Sequence, residues 1–99
     1  MEEKILEKLG RAPVLEQLAE EAAEVAQAAL KLARIIRGEN PTPKTACEAE
    51  EALEEEMADV SVCMRVLAIE SIVIDVENVE KIAEVKMKRW LNRLENMRG

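Results

Sequence analysis

Apolar residues recur every three or four positions along most of this chain, the period of an α-helix rather than the alternation of a strand. "MEEKILEKL" reads as a short helix stopped by Gly10, and Pro13 suits the first turn of the next. That second helix runs from about residue 13 to Arg37 without a breaker. "GENPTPK", Gly38 to Lys44, is a loop by its two prolines and glycine. A third helix is expected from about Thr45 to Glu70, with "SIVID" after it as a turn or extended link. Asp75 is placed to cap a last helix from Val76 to about Glu95, and the charge-rich "ENMRG" should fray. The expected fold is all-α: a helical bundle of three long helices and a short N-terminal one, in a single domain over residues 1–99.

The second and third helices carry one pattern twice. "LAEEAAEVAQAA" and "LEEEMADVSVCM" share L-x-E-E-x-A-[E/D]-V, so Leu18 matches Leu53, Glu21 matches Glu56, and Glu24 matches Asp59. With Glu21 at zero on a helical wheel, Leu18, Val25, Ala28 and Leu32 lie within about 60°, and Glu24 about 60° to the other side. Glu16, Glu20, Gln27 and Arg34 fall roughly 100–140° away, on a polar face. With Glu56 at zero, Ala49, Leu53, Val60, Cys63 and Leu67 surround it in the same way, and Asp59 again lies about 60° off. Glu20 and Glu55 are thus ordinary solvated acids, whereas Glu21 and Glu56 point into apolar faces. A carboxylate there is costly unless it is paired, protonated or bound to a cation. Two i,i+3 acid pairs on facing helices bring Glu21, Glu24, Glu56 and Asp59 around one point.

Composition narrows what that point can hold. The chain has no histidine, and Cys63 is the one thiol near the acids. Oxygen donors alone suit a hard cation, Mg²⁺ or Mn²⁺. The same lack of histidine excludes the Glu-x-x-His motif of di-iron bundles. A net charge of -7 argues against a nucleic-acid polymer or an anionic membrane as partner. Cys47 and Cys63 form no CxxC pair, and no apolar run approaches a membrane span or signal-peptide core. A soluble, cytoplasmic protein is the expectation.

The last helix offers a basic complement. In "KIAEVKMKRWLNRLE", Val79, Ile82, Ala83 and Trp90 lie within about 60° of Lys86, with Arg93 on the same stripe and Arg89 at its edge. Either Lys86 snorkels out of an apolar stripe, or Lys86 and Arg89 meet phosphate oxygens beside a metal. The third helix has a second apolar face, Val62, Val66 and Ile69, next to the one bearing Cys63 and Leu67. A helix apolar on two sides is buried on two sides, which predicts oligomerisation through helix faces.

The acids in ExxE…ExxD order, followed by a basic helix, resemble the MazG-like, all-α nucleoside triphosphate pyrophosphohydrolases. "QLAEEAAEVAQAALKLARIIRGENPTP" is similar to the family's first motif helix and loop, "ALEEEMADVSVCMRVL" to its second, and "KMKRWLNRL" to the closing basic segment of short members. The resemblance implies a homodimer or homotetramer. It implies Mg²⁺ dependence and hydrolysis of a nucleoside triphosphate, NTP or dNTP, to monophosphate and pyrophosphate. It carries metal ligation and catalysis to Glu21, Glu24, Glu56 and Asp59, and substrate contact to Lys86 and Arg89.

Two other readings stay open on the sequence. One is a non-catalytic helical oligomer that keeps the acidic site to sense a metal or nucleotide. The other is a structural interaction protein whose acids are surface charge. Base preference is not readable, since Trp90 is the sole aromatic residue.

Overall fold

A computed structural model describes residues 1–39 and 44–97. Its elements are α1 (Glu2–Leu9), α2 (Arg11–Arg37), α3 (Ala46–Leu67), a 3₁₀ turn (Ile69–Ser71) and α4 (Val76–Glu95). Among the described residues there is no strand, so the chain is all-α. Most of the expected loop, 40–43, and the end of the expected fraying tail, 98–99, lie outside the described residues.

Local chemistry explains the boundaries. Gly10, at φ 86, separates α1 from α2. Pro13 falls in the first turn of α2, where a missing N–H breaks no helical bond. Gly38 ends α2 in the left-handed conformation, φ 68, and its N–H bonds back to the last turn. Thr45 starts α3 with a reciprocal capping box. Its hydroxyl accepts from the Glu48 N–H at 3.1 Å, and the Thr45 N–H donates to the Glu48 carboxylate at 3.0 Å. Those bonds hold the Glu48 carboxyl below its ordinary pKa. Asp75 caps α4 as expected, accepting from the Glu77 and Asn78 N–H groups at 3.0 and 3.4 Å.

α3 ends three residues sooner than its pattern suggests, at Leu67 rather than Glu70. Glu70 and Ser71 both adopt left-handed backbone, φ 52 and 54, which reverses the chain. Such a conformation opposes the preference of any residue with a Cβ, and Val73 and Ile74 just beyond it pack against the core.

α2 and α3 pack antiparallel. Val14, near the start of α2, clusters with Cys63, Val66 and Leu67 near the end of α3, while Ala28 shares a cavity wall with Ala49 and Ala52 at the other end. Val66 and Leu67 are essentially sealed from solvent, 1% and 0% exposed. α1 lies across this end through Leu6, covering part of the second apolar face of α3. Val66 is buried there and Ile69 half-buried, while Val62 is left 51% exposed. Arg34, which the wheel puts on a polar face, is half-buried.

α4 is different. It has no buried residue, and its expected inward stripe lies open: Ile82 is 46% and Trp90 62% exposed. The chain exposes 8002 Å², whereas a folded monomer of 11.1 kDa exposes about 5,700 Å². The radius of gyration, 17.2 Å, likewise exceeds the roughly 13 Å of a compact domain this long.

Replacing Thr45 with alanine removes the half of the capping box that depends on its hydroxyl, the bond from the Glu48 N–H. Urea unfolding of Thr45→Ala should show a loss of about 1 kcal/mol with an unchanged slope. An unchanged midpoint would mean that the cap contributes nothing.

Candidate metal centre

The antiparallel register turns two acidic patterns into one cluster. Glu21 and Glu24 are one turn apart on α2 and Glu56 faces them from α3; one carboxylate oxygen of each lies within 4.8 Å of the others. Around a Mg²⁺ with oxygens at 2.0–2.1 Å, opposite ligands stand about 4.2 Å apart and adjacent ones about 2.9 Å, so gathering three ligands takes a closure of up to about 2 Å.

Burial follows the wheel. Glu21 and Glu56 are half-buried and Glu24 is exposed at the rim. Glu21 Oε2 and Glu56 Oε2 are both shielded from water without a hydrogen-bond partner. An orphaned carboxylate oxygen is an acceptor awaiting a donor or a cation. Gln17, one turn before Glu21, donates to the other oxygen, Oε1, at 2.7 Å and fixes the carboxylate's orientation.

Asp59 stands slightly apart. It is exposed and outside the 4.8 Å cluster, which therefore holds three of the four expected acids. Its charge still reaches the site, raising the pKa values of Glu21 and Cys63. One turn beyond Glu56 on α3, it is positioned as an outer carboxylate.

The carboxylates repel one another. Glu24 has a raised pKa, chiefly because its carboxyl meets that of Glu56, with the Glu56 charge next in importance. For Glu21 the strongest single influence is the Gln17 hydrogen bond, which lowers the pKa; burial and the charges of Glu24 and Asp59 outweigh it, and the net direction is up. Burial raises the Cys63 thiol, helped by Glu21 and Asp59, so it stays protonated and adds no thiolate. The donors remain all oxygen, as a hard cation requires.

A cavity of about 310 Å³ opens beside the acids. Glu24 and Glu56 reach into it, Ala28, Ala49 and Ala52 give it small walls, and Gln27, Lys31 and Lys44 complete its polar lining. Lys31 and Lys44 escape motif reading. The available signal is spacing: Lys31 follows Glu24 by seven residues, two turns on the same edge of α2. Lys86 and Arg89 do not line this cavity. Both are exposed on α4, and Lys88 points elsewhere, pairing with Glu84 at 3.5 Å. No helix among the described residues is long and apolar enough to cross a membrane.

No protein-family model, curated protein or solved structure matches this chain.

The raised pKa values fix a sign for pH dependence. A carboxyl that binds its proton more tightly when folded adds stability as pH falls through its raised value, and loses that contribution as pH rises. Glu48, shifted down, works in the opposite sense, so the cluster is isolated by comparing wild type with Glu24→Gln. Without metal, thermal melts followed by circular dichroism should show Glu24→Gln gaining stability over wild type at pH 7 and losing most of that advantage near pH 4. Mg²⁺ or Mn²⁺ should raise the wild-type melting temperature more at pH 7 than at pH 5, where protons compete for the oxygens. Melting at pH 7 that ignores both ions would rule out a metal centre.

Proposed function

We propose that this chain is a Mg²⁺-dependent nucleoside triphosphate pyrophosphohydrolase, working as a homodimer or homotetramer and releasing a nucleoside monophosphate and pyrophosphate. The observation that carries this reading is the converging triad Glu21, Glu24 and Glu56, with two buried, unpartnered oxygens. Its resemblance to the MazG-like ExxE…ExxD arrangement supplies the reaction class, with Asp59 as the fourth acid.

The donor set fits Mg²⁺, or Mn²⁺ in its place: oxygens only, three of them close, and no competing thiolate. When bound, such an ion supplies Lewis acidity at phosphate oxygens and offsets the charge of a leaving pyrophosphate. Glu21 and Glu56 provide the inner oxygens, Glu21 held in orientation by Gln17. Glu24, at the exposed rim, is reached by water and is placed to accept a proton from the attacking water. The water oxygen bonds to the α-phosphorus, the bond from that phosphorus to the α,β-bridging oxygen breaks, and its electron pair leaves on pyrophosphate.

Assembly follows from the uncovered α4. The excess of about 2,300 Å² over a compact monomer exceeds the roughly 800 Å² that each partner gives to a standard interface. A second copy covering Ile82, Trp90 and the rest of that stripe would turn an open face into a core. In such an assembly Lys86 and Arg89 contact substrate from the neighbouring subunit, since within one chain they stand outside the acid cavity.

Pyrophosphate release from a nucleotide panel with Mg²⁺ or Mn²⁺ tests the reaction. Glu56→Gln should lower turnover about 100-fold or more, as loss of a metal-binding group does; equal rates would remove Glu56 from catalysis. Metal-induced stabilisation with no turnover on any nucleotide would favour the non-catalytic sensor instead. Sedimentation equilibrium should give a dimer or tetramer at micromolar concentration, and a stable monomer would defeat the assembly.

A further inference from the structure

We infer that Lys31 and Lys44 bind the pyrophosphate portion of the substrate, so that the phosphate chain runs from the carboxylates toward the α2–α3 connection. This rests on the metal-centre reading of Glu21, Glu24 and Glu56. Three observations carry it: one cavity, charges of opposite sign within it, and their separation along the helix.

The cavity is shared by Glu24 and Glu56 with Lys31 and Lys44. Opposite charges in one cavity commonly cancel as ion pairs, yet Lys31 pairs with no carboxylate among the described residues. Its helical position explains why. Seven residues at about 1.5 Å each place its backbone about 10 Å along α2 from Glu24. Lys44 enters the same cavity from the other side of the hairpin, just before the Thr45 cap of α3. The acids are thus at one end, and both lysines approach from the end where α2 and α3 are connected.

An occupant spanning this gap needs oxygens for a cation at one end and for ammonium groups at the other. A metal-bound phosphate chain has that distribution of charge along its whole length. The cavity walls between the poles are Ala28, Ala49 and Ala52, small side chains that leave room and offer no competing charge. Gln27, with an amide that donates as well as accepts, adds a contact between them. Lysine contacts at the leaving pyrophosphate neutralise the charge it gains when the bond to the α-phosphorus breaks. The α-phosphorus then sits by the triad, and the nucleoside extends away from the α2–α3 connection.

The test separates the lysines from the metal centre. Mn²⁺ binding is measured alone by electron paramagnetic resonance, and binding of inorganic pyrophosphate with saturating Mg²⁺ by calorimetry. Wild type, Lys31→Ala, Lys44→Ala and Lys31→Arg are compared at constant ionic strength, with helicity and melting followed in each. Each alanine variant should bind Mn²⁺ as wild type does and lose about tenfold or more in pyrophosphate affinity, the scale of a charge-assisted hydrogen bond. Lys31→Arg should recover most of the loss. Normal Mn²⁺ binding with unaltered pyrophosphate affinity in both alanine variants overturns the lysine assignment and leaves the metal centre standing. Absence of Mn²⁺ binding in wild type overturns the metal centre, and the lysine assignment with it.

Discussion

Mutual repulsion of carboxylates across the α2–α3 seam is the constraint around which this molecule is organised. Glu24 and Glu56 come from different helices and meet closely enough to raise the pKa of Glu24. Left to themselves, such acids separate. Apolar packing toward one end opposes that, Val14 with Cys63, Val66 and Leu67, while Ala28, Ala49 and Ala52 line the cavity toward the other. Alanine lets helix axes approach, and the approach forces the acids together. The seam therefore stores an unfavourable interaction that a proton or a cation relieves.

The proposed function would have an acidic chain serve a polyanionic substrate. Overall charge governs long-range, non-specific attraction. A bound cation reverses the field locally, over distances shorter than the salt-screening length. The lysines lining the same cavity would extend that reversal along its length. Acidity at the surface and anion binding within a cleft are then properties of different length scales.

α4 is the element that the proposed assembly would cover. Its cap is well formed and its helix long, yet within one chain it buries nothing. Two left-handed residues, Glu70 and Ser71, turn the chain away from α3 before α4 begins. The outer face of α4 is stitched by the i,i+4 pairs Glu77–Lys81 and Glu84–Lys88, contacts of small energetic weight. The opposite, apolar stripe is exposed, and in the proposed assembly its burial would carry Lys86 and Arg89 to a neighbouring site.

The sequence by itself determined the helices and the inward acids. Helix existence follows from local periodicity, and Asp75, Gly10 and Pro13 mark boundaries through bonds made within a few residues. The repeated acidic pattern likewise placed Glu21 and Glu56 correctly, because a shared apolar phase is a property of one helix at a time. The Thr45–Glu48 capping box was legible too, as Thr-x-x-Glu ahead of a helical run, although attention to the acids passes over it. Only the tertiary structure decided what depends on pairing between helices. The antiparallel register brought Glu24 rather than Asp59 against Glu56, and gathered Lys31 and Lys44 into the acid cavity. It also left Lys86 and Arg89 outside the cavity, on a helix that begins beyond the left-handed Glu70 and Ser71. Distance between helices is fixed by packing, and no single helix encodes it.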